Sequence, residues 1–167
     1  MRINLCEIIE MPGKSLPFQC ELDGERLLCP SIEAFTKLPS ASGVITNTAG
    51  ALTLKGVISA EMTCICDRCF ERYSSVLELP VELKLAADLE DDDDPDIFAL
   101  DGDWLDLSDV LETSFILNTD TKFLCKEDCK GLCSRCGKNL NDGPCGCKKE
   151  IDPRLAVLGQ LLDKTEE

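Results

Sequence analysis

The chain contains no histidine. That removes the commonest general base at neutral pH, and with it Ser-His and Cys-His nucleophile pairs. Aromatic residues make up only 5% of the chain, so its core must be chiefly aliphatic; the hydrophobic share of 44% still suffices for one domain with a modest appendage in 167 residues. No apolar run reaches the roughly 18 residues that a membrane-spanning helix needs. The first stretch, MRINLCEIIEMPGK, is broken by charges and Pro12, so no hydrophobic signal segment is read there and the expected location is cytoplasmic. Basic residues are outnumbered, 17 against 32, giving a net charge of −15. There is no glycine-rich phosphate loop, no nucleophile elbow and no internal repeat. These absences together point away from an enzyme.

What the chain does have is cysteine, twelve in all, six of them within residues 125–147. That stretch reads CKEDCKGLCSRCGKNLNDGPCGC, with the spacing C-x3-C-x3-C-x2-C-x8-C-x-C. A tetrahedral metal site takes four sulfurs from two short turns. Cys133 and Cys136 supply one pair, with Gly137 free to adopt positive φ directly after them. Cys145 and Cys147 can supply another after a short loop with the turn residues Asn141, Gly143 and Pro144. In a reducing compartment such clusters serve metal or redox work rather than disulfide bridging. Redox chemistry and disulfides stay open as alternatives, and Cys6, Cys20 and Cys29 fit plain buried thiols. Without histidine, thiolates must do most of the ligation, and a site closed by four of them is structural rather than catalytic.

Charge is unevenly spread. Residues 88–109 hold eleven Asp or Glu and no Lys or Arg, whereas residues 122–149 hold seven basic residues against three acidic, a local +4. The acidic run around 88–103 reads as a solvated loop.

Apolar periodicity predicts a mainly antiparallel α+β protein. Ile3 to Ile8 is a first short strand. Leu16, Phe18, Cys20 and Leu22 alternate with polar residues, and Pro17 puts that strand at an edge or near its start. Residues 23–42 show no clean period. Residues 44–46 and 52–62 flank a hairpin turn at Asn47-Thr48-Ala49-Gly50, with a bulge expected at Gly56. Leu77, Leu79, Val81, Leu83 and Leu85 mark the clearest strand. Between these arms, Cys66-Asp67-Arg68-Cys69 is a C-x2-C turn at a hairpin tip, near Cys64. Asp106 is a helix N-cap before Leu107, Val110, Leu111 and Phe115. Ile151-Asp152-Pro153 starts a short closing helix over 150–167. The domain expectation is a core over 1–124, a cysteine-rich, zinc-ribbon-like module over 125–149, and that helix packed on the core.

The CDRC turn, the acidic loop, the KGLC-x2-CG-x-NLN run and the final IDPRLAVLGQLL together resemble the bacterial YceD-like proteins, over nearly the whole chain but least in the first forty residues. The resemblance implies a single α+β domain on an antiparallel sheet and a role in accumulating large-subunit (23S) ribosomal RNA. It also implies a gene lying beside that of a small basic large-subunit ribosomal protein. For the ligands it implies two sets, Cys66, Cys69, Cys125 and Cys129 in one, and Cys133, Cys136, Cys145 and Cys147 in the other; one four-sulfur site with spare thiols stays open. The expected function is a non-enzymatic ribosome-biogenesis factor with one or two structural zinc ions. Its expected partners are precursor RNA or the assembling large subunit, with Lys130, Arg135 and Lys138 facing RNA and the acidic loop facing a basic protein. A zinc-stabilised protein adaptor without RNA contact and a thiol redox sensor are the competing readings.

Overall fold

The computed structural model describes residues 1–86 and 97–147. Most of the acidic run and the whole of the expected closing helix lie outside the described residues. The element order is β1 (Arg2–Asn4), α1 (Cys6–Ile9), β2 (Ser15–Glu21), β3 (Ile32–Thr48), β4 (Ala51–Ile65), β5 (Arg72–Ala86), β6 (Ile97–Ala99), β7 (Trp104–Asp106) and α2 (Leu107–Asn118), then a single 3-10 turn at Leu140–Asp142. The fold is α+β. A five-stranded sheet runs β2-β3-β4-β5-β6, and a small ribbon pairs β1 with β7. All pairings are antiparallel except that of β6, which lies parallel to the end of β5.

Alternation builds the central meander. Along β4 the side chains of Leu52, Leu54, Ile58, Ala60, Met62 and Cys64 are buried on one face, as a half-covered strand requires. Leu83, Leu79 and Leu77 of β5 pack against the same core. Leu107, Val110, Leu111 and Phe115 of α2 are buried over this face, with Phe115 edge-on to Phe35 at 6.3 Å between ring centroids. Asp106 caps α2 by accepting from the Asp109 amide. β2 is an edge strand, as Pro17 requires.

The hairpin between β3 and β4 turns on Ala49 and Gly50, both at positive φ (54° and 93°). That geometry matches the right-handed twist of the two arms. Asn47 is buried there. Its amide donates to the carbonyls of Ile8 and Ile9, and its Oδ1 accepts from the Gly50 amide, so the turn is tied to α1.

Two local expectations need correction. The first strand stops at Asn4, whose Oδ1 accepts from the Cys6 amide, and the chain then makes a helical turn over Cys6–Ile9. At Gly56 there is no bulge, because its register with Gly43 and Val81 is unbroken. Glycine stands there for space: a Cβ would come within 3.1 Å of the Phe18 ring and 2.6 Å of the Ser42 carbonyl oxygen. The irregularities fall instead in β3, at three register shifts between Ile32 and Ser40. They explain why residues 32–40 show no period two although they form strand.

Candidate metal centre

The turn joining β4 to β5 closes on itself. The Cys66 amide donates to the Glu71 carbonyl and the Phe70 amide to the Cys66 carbonyl, both at 2.9 Å. Phe70 is thereby held at φ 60°, a left-handed conformation unusual for a bulky side chain. The same knuckle is built again at residues 133–138. There the Cys133 amide donates to the Lys138 carbonyl at 2.8 Å and the Gly137 amide to the Cys133 carbonyl at 2.9 Å, with Gly137 at φ 70°. CDRCFE and CSRCGK share Cys, Arg and Cys at the same places. A repeat six residues long is therefore present, contrary to the expectation of none; it is confined to one turn and shares only Cys, Arg and Cys.

The structure brings the eight cysteines into two sets of four. The Sγ atoms of Cys66, Cys69, Cys125 and Cys129 lie within 4.8 Å of one another, and so do those of Cys133, Cys136, Cys145 and Cys147. Cys66 and Cys129 are 3.7 Å apart, Cys69 and Cys125 3.6 Å, Cys133 and Cys145 3.4 Å. Four sulfurs about 2.3 Å from one tetrahedral ion stand about 3.8 Å apart. A disulfide would draw a pair to about 2.05 Å. Each set can therefore hold one metal ion. The first lies in a small apolar cluster with Tyr73 and Leu124, whereas the second sits near the surface, with Cys136 exposed. Cys64 and Cys20 are buried in the main core, and Cys6 and Cys29 stand apart from both sets.

The electrostatics ask for a cation. Burial opposes a charge on Cys66, yet the backbone amides of Cys125, Cys69 and Arg68 bring its pKa down to about 6. In the second set the amides of Cys136 and Arg135, and the Cys145 thiol, lower Cys133 to about 6. The partners move the other way. Burial and the neighbouring sulfurs push Cys69 up to about 12, and Cys136 together with burial does the same to Cys147. Four thiolates cannot share so small a space unless a positive ion neutralises them.

Three residues, Asn141, Asn139 and Arg68, tie the first sulfur set to the segment that carries the second. The Asn141 side chain donates to the Cys129 sulfur at 3.3 Å and accepts from the Lys130 amide at 2.9 Å. Read in sequence as a turn residue, it belongs to the loop of the second set yet hydrogen-bonds a sulfur of the first. Asn139 donates to Glu71 at 2.9 Å, across the two turns. Arg68 donates from its guanidinium to the Cys129 carbonyl at 2.9 Å and accepts at its own carbonyl from the Leu132 amide at 3.0 Å. Gly131 is required at that crossing: it sits at φ 71°, and a Cβ would meet the Arg68 oxygen at 2.8 Å. Asp67 adds a clamp on the sheet side, accepting from the Ser31 hydroxyl at 2.6 Å and the Phe123 amide at 2.7 Å. The C-x-R-C repeat is the one sequence signal that could have drawn attention to Arg68.

Of the three basic residues expected to face RNA, all are exposed. Lys138 is engaged within the module, its ammonium donating to the Pro144 carbonyl at 3.0 Å. Arg135 holds the place in the second knuckle that Arg68 holds in the first.

The fold and these clusters define a small β-rich protein with paired four-cysteine knuckles of the metal-binding type. The family model for the large ribosomal RNA subunit accumulation protein YceD matches residues 54–162, a span that includes all eight of these cysteines. The chain belongs to the YceD family. It is 29% identical over 147 residues to the chloroplastic large ribosomal RNA subunit accumulation protein YCED homolog 1 of Arabidopsis thaliana, covering 70% of this chain and 46% of the relative. The counterpart of the same name in Zea mays is 31% identical over 136 residues, covering 62% and 46%. The chain thus spans about half the length of the curated relatives it matches. No solved structure matches it. Among the described residues, no helix is long and apolar enough to cross a membrane.

Proposed function

We propose that this protein is a non-enzymatic accessory factor that supports accumulation of large-subunit ribosomal RNA, with two zinc ions as structural ties. The observation that carries the reading is family membership over a span that includes both sulfur clusters. Zinc suits all-thiolate tetrahedral sites and needs no redox change. Cys66, Cys69, Cys125 and Cys129 would hold one ion, and Cys133, Cys136, Cys145 and Cys147 the other. With four sulfurs each, neither ion would keep a position for substrate. Each would fix a turn: the first ties the β4–β5 hairpin to the segment after α2, the second closes the loop that carries Asn139 and Asn141.

The test is depletion of the protein in cells that carry it, with the ratio of large- to small-subunit ribosomal RNA measured during growth. A fall in that ratio is expected, reversed by the wild-type gene but only weakly by Cys66→Ser. An unchanged ratio removes the reading.

A protein adaptor without RNA contact is favoured by one observation. Six of the eight thiolates lie within residues 122–149, and with two dications they carry a charge of −2, which halves the +4 that these residues carry in side chains. A loaded module is then only weakly basic, and contact of Lys130, Arg135 and Lys138 with RNA would rest on their individual placement. Binding of the loaded protein to large-subunit RNA at two salt concentrations separates the readings, since phosphate contacts weaken steeply with salt.

A further inference from the structure

Among the described residues, the meander leaves one long edge unpaired. β5 pairs with β4 without interruption from Arg72 to Leu85, but on its other side only Lys84, Leu85 and Ala86 meet β6. Among the described residues, no backbone hydrogen bond reaches residues 73–83 from that side. The edge carries no bulge, and bulges are a common way of blunting an exposed strand. Pro80 sets its parity. Proline has no N–H, so in an intact ladder Pro80 must stand where that group would point away from β4. Hydrogen-bonding direction alternates along an antiparallel strand, so Ser74, Val76, Glu78 and Glu82 present their N–H and C=O groups to the open side.

The surroundings of the edge are acidic and partly apolar. Val76 is 72% exposed. Glu78 is exposed beside it, and Glu82 pairs with Lys55. Toward the core the edge borders a groove lined by Tyr73, Leu77 and Phe123, with Asp120, Glu127 and Lys122 at its rim. We propose that this edge is a docking strand for an extended, basic polypeptide, which would add a sixth strand to the sheet beside β5. Main-chain bonds would supply affinity, and alternate side chains selectivity. Its lysines or arginines would face Glu78 on the exposed face of the sheet, and its apolar residues the Tyr73–Leu77–Phe123 groove on the core face, where Asp120 and Glu127 add to the negative field. A second copy of this chain is the wrong occupant, because each chain carries −15 and edge-to-edge pairing would set Glu78 and Glu82 near their own copies. The proposal goes beyond the ribosomal RNA reading and does not depend on it.

The test is hydrogen exchange on the full, zinc-loaded chain with a synthetic peptide of about ten alternating lysines and valines, a length that spans the edge. Exchange at the amides of Ser74, Val76, Glu78 and Glu82 should slow by about tenfold or more. A glutamate–valine peptide and a single-stranded oligonucleotide should leave it unchanged. Val76→Pro removes an outward N–H, as Pro80 already does, and should abolish the effect. Glu78→Lys should weaken it several-fold and serves in its place if the proline variant does not fold. Four results would overturn the proposal: protection of these amides in the free chain, protection that rises with protein concentration alone, protection by the oligonucleotide, or no response to the lysine peptide.

Discussion

Phe70 and Gly137 occupy the same position in two copies of one knuckle, both left-handed, at φ 60° and 70°. Glycine adopts that conformation freely; phenylalanine is strained there, at a cost of about 1–3 kcal/mol. Phe70 is 68% exposed, so little packing offsets the strain. Phe70→Gly should therefore raise the melting temperature by about 2–4 °C, and Gly137→Phe should lower it, although a Cβ at Gly137 would meet nothing within 4 Å. Thermal denaturation with metal present decides. A Phe70→Gly protein that melts lower would mean that the ring contributes more than its conformation costs.

Metal content follows from the two sulfur sets. Protein purified without added metal should carry two zinc per chain by elemental analysis. Cys133→Ser should retain one. Cys66→Ser should also lose one but lower thermal stability further, because its set joins the β4–β5 hairpin to Cys125 and Cys129 across the fold. Structural zinc contributes on the order of 10 kcal/mol in isolated fingers, so its loss can unfold a local element. Loss of both ions on the Cys133 change would show that the sets form one cooperative unit.

Asn141 should matter to the first ion rather than the second. It donates to the Cys129 sulfur and holds the Lys130 amide. Contacts of this kind usually alter metal affinity by about 10–100-fold when removed. Asn141→Ala should speed release of one zinc to a chelator by about tenfold while leaving the count at two. Lys138→Ala, which breaks only a contact to Pro144, should leave the rate at the first site unchanged.

Asp106 gives the fold a small acid dependence. Burial works against its charge, but the Asp109 amide, the chain's own amino terminus and Arg2 hold its pKa below the usual 3.8. A carboxyl lowered in the folded state adds stability above its unfolded pKa, and that contribution is lost as pH falls through the folded value. Asp106→Ala should cost about 1 kcal/mol at neutral pH through the lost cap. Asp106→Asn should keep most of the cap and flatten the decline below about pH 4. Urea titrations at several pH values measure both, and an unchanged decline in the Asn variant would assign the acid dependence to other carboxyls.

Local periodicity made much of this protein legible in its sequence. Alternation in β2, β4 and β5, the Asn47–Gly50 turn, the Asp106 cap and the C-x2-C knuckles are each written within a few residues, because each rests on a bond or a burial pattern between near neighbours. The cysteine count and the missing histidine likewise dictate, without any coordinates, that a metal bound here is held chiefly by sulfur. Long-range register decided the rest. β3 hid its first half because its bulges answer to β4 and leave no period of their own. The meeting of Cys66 with Cys129, the reach of Asn141 from the loop of one sulfur set to a sulfur of the other, and, among the described residues, the unpaired side of β5 all depend on which strands stand beside which. Spacing along a chain does not encode those neighbours; they follow from how the sheet buries its apolar face against α2 and where that packing leaves the ends of the hairpins.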